Sequence, residues 1–244
     1  MKVSYHNNDH RRAAATPSHV APCWRFDPQL LDSFIPGTCK RKEKDMTYRC
    51  TLLQSQSMNH DVKRFVLERP AGFDFEPGQG VELAIDREEW RSEGRPFTPT
   101  SLPGDRLLEF IIKGYPEHQG VTRELHRLQP GESLLLSEPF GTIRYRGPGM
   151  FIAAGAGITP FISILRMLDR QGQLEGHSLI FGNKTPRDII CEKELLKMLG
   201  ERVKFLCSRE DDCRCAGGRV DRPYCSNRSK TSHKTSISAD RPLL

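Results

Sequence analysis

A six-stranded antiparallel β-barrel with one capping helix, followed by a parallel α/β half-domain, is the β + α/β fold class that this sequence predicts. Three observations carry it. From Met46 onward the chain is a run of short β-branched and aromatic segments separated by turn residues. At Gly147-Pro148-Gly149 the pattern changes, and Met150-Phe151-Ile152-Ala153-Ala154 is a continuous apolar run suited to a strand covered on both faces. That run leads into a glycine loop and an amphipathic helix, after which strand, helix and strand follow in turn.

The barrel strands are expected at 47–53, 61–68, 81–85, 95–101, 108–114 and 132–137. Asp61 to Glu68 alternates its faces, and Pro77-Gly78-Gln79-Gly80 makes the turn that feeds Val81. Between the last two strands Val121, Leu125 and Leu128 recur at helical spacing, which predicts one helix over 120–128. Closure into a barrel hides the sheet edges.

In the second half, Thr159 is expected to cap a helix with Pro160 at its first position, and Phe161, Ile162, Ile164, Leu165 and Leu168 form the buried stripe. Strands at 178–182 and 203–207 flank a helix over 192–199. This β-α-β-α-β run is one half of a doubly wound, Rossmann-like sheet. The domain reading is a poorly ordered extension at 1–45, a barrel at 46–146, an α/β domain at 147–221 and a disordered polar tail at 222–244.

The chain has 244 residues, room for two modest domains, and its 36% hydrophobic and 28% charged composition is that of a soluble protein. The net charge of +6 sits at the ends: residues 1–45 hold eight Lys/Arg against five Asp/Glu, and residues 222–244 five against one. Between them 24 basic residues face 25 acidic ones, so the folded part has no basic groove for nucleic acid. No run approaches the roughly 18–20 apolar residues of a membrane span, and no secretory leader is recognisable. A cytoplasmic location without a membrane or nucleic-acid partner is expected. The eight cysteines have neither iron–sulfur nor zinc spacing, Cys213 and Cys215 being the only close pair, so no metal is expected.

Three motifs occur in order. Arg95-Pro96-Phe97-Thr98 offers a cation, an apolar ring and a hydroxyl on one extended segment, the groups that a flavin's diphosphate, ring face and N5 edge require. Gly120-Val121-Thr122 opens a helix, where unpaired backbone N–H groups attract a phosphate, and Lys113 just upstream adds charge. Gly155-Ala156-Gly157-Ile158-Thr159-Pro160 joins a buried strand to a helix, the setting of a nucleotide loop, with Pro160 standing where a dinucleotide fingerprint has its last glycine. Each also has a plain structural reading: a barrel strand, a helix cap and a tight turn.

Together with Gly218-Arg219-Val220, these motifs resemble the ferredoxin–NADP reductase family, and its short bacterial flavodoxin/ferredoxin reductase branch in particular, over about 46–221. The resemblance implies an FAD-binding barrel and an α/β domain that brings NADP(H) or NAD(H) to the flavin. It implies that Arg95 contacts FAD phosphate, Phe97 stacks on the flavin or ribose, and Thr98 hydrogen-bonds N5, with Pro96 between them. Gly120, Val121 and Thr122 would hold the diphosphate, while Gly155, Gly157, Thr159 and Pro160 would meet the nicotinamide nucleotide. Ser208 and Arg209 follow the third α/β strand, where a 2′-phosphate would sit, but Glu210, Asp211 and Asp212 oppose it.

The implied activity is hydride transfer from NAD(P)H to FAD and onward electron delivery to a small carrier such as ferredoxin or flavodoxin. The family continues past Gly-Arg-Val into another strand and a Cys-Gly-Pro loop, and neither is recognisable after Asp221. The reading therefore includes an α/β sheet cut short on an uncovered apolar edge. That leaves a second possibility, a flavin-binding electron-transfer or regulatory module without NAD(P)H turnover.

Overall fold

Six strands of the first half close almost completely on themselves. In the computed structural model, which describes residues 46–141, 143–209, 216–217 and 236–238, β1 (Tyr48–Ser57), β2 (Val62–Glu68), β3 (Val81–Ile85), β4 (Arg95–Phe97), β5 (Leu107–Lys113) and β6 (Ser133–Leu136) form one antiparallel sheet. Its order is β4-β3-β6-β1-β2-β5. Tyr48 to Thr51 pairs with β6, and Leu52 and Gln54 to Ser57 pair with β2 with a register shift between Leu52 and Gln54, so the long central strand passes from one partner to the other. The two outer strands meet at a bridge between Pro99 and Phe110 and through the Thr100 N–H, which donates to the Glu109 carbonyl at 2.7 Å.

The segment expected as one strand over 95–101 is thus divided. Arg95 to Phe97 pairs with β3, and Pro99 and Thr100 reach across to β5. Pro96 and Pro99 lack backbone donors and cannot sustain a ladder on both sides, so the strand breaks where the barrel closes. The helix expected over 120–128 is shorter, α1 (Val121–Leu125), with Val121 and Leu125 buried at the barrel end. Leu52, Phe65, Leu67, Phe110 and Leu136 fill the barrel core.

The second half is a five-stranded parallel sheet in the order β10-β9-β8-β7-β11. Strands β7 (Met150–Ala154), β8 (Ser178–Asn183) and β9 (Val203–Cys207) lie side by side, with the short β10 (Ala216–Gly217) beyond β9. β11 (Ser236–Ser238) pairs with β7 from Met150 to Ile152. The sequence reading has this segment inside a disordered tail and the sheet ending on an uncovered apolar edge; instead Ser236–Ser238 forms a strand beside β7. Ser-Ile-Ser has no amphipathic period of its own, and β7 supplies the template for pairing. The expected extension at 1–45, and the rest of 222–244, lie outside the described residues.

Helices α2 (Thr159–Arg170) and α3 (Glu192–Leu199) complete this half. The predicted stripe of α2 is buried, and Phe161 lies tilted against Phe151 of β7 with ring centroids 5.1 Å apart. Ile158, not Thr159, is the N-cap; Thr159 and Pro160 are the first two helical residues. The same apolar cluster includes Val62 of β2 and Ile111 of β5, so barrel and α/β half share part of one core within the unit Glu43–Leu244. Among the described residues no helix is long and apolar enough to cross a membrane.

Candidate functional site

Strand β4 holds the first cluster. Phe97 and Thr98 are half-buried, Phe97 packs against the barrel core, and the Thr98 hydroxyl lies near Gly80 on the neighbouring turn. A Cβ on Gly80 would stand 3.8 Å from that hydroxyl and 3.4 Å from the Phe97 carbonyl oxygen, ordinary van der Waals distances that place this turn against the strand. Arg95 folds back on its own loop. Its guanidinium donates to the Gly94 carbonyl at 2.8 Å and to the Glu93 carboxylate at 3.2 Å, with over a third of the side chain exposed. An aromatic face, a nearby hydroxyl and a half-exposed guanidinium with spare donors fit an isoalloxazine ring with its diphosphate.

The turn before α1 supplies the second cluster. Gly120 is the extended N-cap, without a side-chain cap, and a Cβ there would meet nothing within 4 Å. The first turn of α1 has backbone N–H groups without an intrahelical partner, the kind of donor that suits an anion.

The third is a cleft of about 330 Å³. It is lined where parallel strands end: Ala154 at the end of β7 and Gly155 after it, Gly182 and Asn183 in β8, and Ser208 after β9. The strand order turns around β7, since β8 lies on one side and β11 on the other. Carboxyl ends of strands at such a reversal are where open α/β sheets bind nucleotides. Gly155 takes φ +50°, a left-handed conformation that other residues adopt only with strain, and it starts the 3-10 turn Gly155–Ile158 that turns the chain into α2.

Of the residues singled out by sequence, Lys113, Gly155 and Ser208 line the cleft; Gly157, Thr159, Pro160 and Arg209 are not among its lining. Thr159 is buried, and its hydroxyl donates to the Ala156 carbonyl at 3.1 Å, holding the loop from beneath. Arg209 donates its backbone N–H to the Lys184 carbonyl at 3.0 Å. Sequence reasoning missed Asn183, Lys184 and Asp188. Asn183 is buried, its amide donates to the Phe181 carbonyl at 3.2 Å, and its Oδ1, itself shut off from solvent, has no partner. The available signal was position: Asn183 and Lys184 end a buried parallel strand.

Lys113 walls the cleft from the barrel side, but its ammonium is not free. It lies 2.8 Å from Asp61 Oδ2 and 4.0 Å from Asp188 Oδ1, so it joins the β1–β2 turn to the α/β half. Burial raises the Asp188 pKa, yet hydrogen bonds from Thr185 and the charges of Lys113 and His60 outweigh it and hold the carboxyl below its usual value. His60, Asp61 and Asp188 bring ligand-type atoms within 4.8 Å of one another, around two carboxylates that share the Lys113 ammonium. Burial lowers the pKa of His126, whose ring contacts the Ile112 carbonyl at 3.0 Å. Burial likewise pushes the Cys191 thiol up to about 12, so it is no nucleophile at neutral pH.

Comparison with known proteins agrees with this geometry. Residues 49–145 match the family described as "Oxidoreductase FAD-binding domain" and residues 151–222 the "Oxidoreductase NAD-binding domain". The ferredoxin–NAD(P)(+) reductase component of the naphthalene 1,2-dioxygenase system of Pseudomonas putida is 28% identical over 64% of this chain and 47% of its own length. NADH-cytochrome b5 reductase 1 of Neosartorya fischeri is 31% identical over 72% of this chain and 62% of its own. The CS-b5R domains of human Ncb5or in the NAD+ form superpose with TM-score 0.66 and 26% identity, covering 78% of this chain and 61% of that one. A Neisseria gonorrhoeae ferredoxin NADP+ reductase with bound FAD and NADP gives TM-score 0.65 at 17% identity, covering 78% and 83%. The chain spans less than half the length of the bacterial reductase components it matches, 47% and 42%.

Proposed function

The chain belongs to the ferredoxin–NADP reductase family of oxidoreductases, with an FAD-binding and an NAD-binding domain in tandem, and from that premise we propose that it oxidises NAD(P)H and delivers the electrons to a small carrier protein of the ferredoxin or flavodoxin kind. The carrying observation is the cleft at the carboxyl ends of β7, β8 and β9, whose other wall is Lys113 of the barrel. The nicotinamide nucleotide enters between the two halves, on the side where β5 ends.

FAD, when bound, supplies the hydride acceptor and the step from electron pairs to single electrons. The protein's part is placement. Phe97 offers a ring face, Thr98 a hydroxyl, and Arg95, on turning from Glu93, donors for phosphate. The Gly155 loop and Asn183 shape the cleft that receives the donor, and no side chain needs to move a proton in the hydride step. Gly120, Val121 and Thr122 present backbone donors to the FAD diphosphate.

Ser208 and Lys184 at the cleft edge favour NADPH through the positive charge of Lys184. The test is steady-state oxidation of NADPH and of NADH by the FAD-loaded protein with ferricyanide, then with a ferredoxin and a flavodoxin as acceptors. The reading predicts turnover with ferricyanide and with at least one carrier, at a lower KM for NADPH. No oxidation of either nucleotide with ferricyanide would leave only a flavin-binding module.

A further inference from the structure

Behind the cleft, on the far flank of α2, the two halves are joined by a second contact that none of the motifs includes. Arg166 lies two turns along α2 from the Gly155 loop. Its Nε and Nη2 donate side-on to Glu194 of α3, at 2.6 Å and 3.0 Å. Its Nη1 crosses to the barrel, donating to Glu109 Oε1 at 2.6 Å and to the Thr100 carbonyl at 2.8 Å.

The barrel partners are themselves fixed. Thr100 is fully buried and donates its hydroxyl to the same Glu109 carboxylate at 2.8 Å, and the Ser101 hydroxyl accepts the Glu109 N–H at 3.0 Å. Buried Ser163, one turn before Arg166, donates to the Ser101 carbonyl at 3.3 Å. Thr100 is two residues beyond Thr98, on the segment that carries Phe97. The bridge therefore links the strand bearing the flavin-facing groups to the helix bearing the nucleotide loop, through short stretches with no hinge between them.

We propose that Arg166 is a positioning residue for hydride transfer: by tying Thr100 and Glu109 to α2, it sets the separation between the Phe97-Thr98 strand and the Gly155 loop. A planar guanidinium suits this task, since it satisfies carboxylates on two sides and a carbonyl at fixed angles, which a lysine ammonium cannot reproduce. The proposal rests on the oxidoreductase reading for its kinetic consequence, but the bridge itself is testable without bound cofactor.

The experiment compares wild type with Arg166→Gln, Arg166→Lys and Glu109→Gln. Amide hydrogen exchange of the flavin-free proteins is read first, and the segment 98–102 is expected to exchange faster in R166Q and E109Q. Rapid mixing of the FAD-loaded proteins with donor then gives the limiting rate of flavin reduction. Misplacement of reacting groups predicts a limiting rate lower by about 10–100-fold in R166Q and E109Q, with FAD and donor dissociation constants within about twofold of wild type. R166K is expected to recover part of that rate.

Wild-type limiting rates in R166Q and E109Q would overturn the proposal, as would a loss confined to FAD affinity. Unchanged exchange over 98–102 would show that the bridge holds nothing in place. If wild type itself is not reduced by either nucleotide, the function reading fails, and the exchange result alone still decides whether Arg166 fixes the strand.

Discussion

Replacing Lys113 with Met separates two roles for this residue, phosphate binding and bracing. Methionine keeps an apolar stem of similar length and removes the ammonium seated on Asp61 and Asp188. Exposed ion pairs contribute about 0.2–1 kcal/mol, and breaking one side of a fully buried pair costs about 3–5 kcal/mol. Lys113 and Asp61 are 15% and 18% exposed, nearer the buried case but still wetted. The expected loss near neutral pH is therefore about 2 kcal/mol.

The pH dependence follows from Asp188, whose pKa is held below the usual 3.8. A depressed carboxylate contributes stability that is present above its unfolded-state pKa and lost as pH falls through the folded value. Thr185 makes the larger part of that depression and Lys113 a smaller one, so the part of the K113M deficit that runs through Asp188 is present at neutrality and is lost as the pH drops below 3.8. Urea unfolding of both proteins across that range measures it. An unfolding midpoint equal to wild type at neutral pH, with FAD or donor affinity selectively weakened, would refute the bracing role and restore the phosphate role.

Other substitutions test the remaining parts. Arg95→Ala removes charge-assisted donors worth about 1.5–3 kcal/mol, so FAD affinity should fall by about one to two orders of magnitude in a flavin titration, with the protein still folded. Gly155→Val places a β-branched residue at φ +50°; the loop should reshape at a cost of about 1–2 kcal/mol, and NAD(P)H binding should weaken while FAD binding is kept. Phe161→Ala empties a fully buried site against Phe151, and thermal unfolding should report a loss of about 3–5 kcal/mol.

Elements whose burial is local were legible in the sequence. β7, β9 and α3 fall at the residues expected, because an apolar run or stripe fixes its own extent. β4 was overcalled by four residues: which neighbour Pro99 and Thr100 pair with depends on where the barrel closes. β11 had no signal of its own, being three residues set by the edge of β7. The glycine loop falls between a buried strand and a helix as expected, but Thr159 was placed at the cap, whereas its hydroxyl turns inward to Ala156. Lys113 and Arg166 show the limit most plainly. A sequence states that a cation is present, and only the packing of barrel against α/β half decides that carboxylates hold it.

Single-turnover mixing of the FAD-loaded protein with NADPH, and separately with NADH, under anaerobic conditions tests the central claim most directly, because it asks whether the two seats exchange hydride within this chain. Rapid bleaching of the oxidised-flavin absorbance with at least one nucleotide is the predicted result. A protein that binds FAD and stays yellow with both nucleotides at saturating concentration would contradict it.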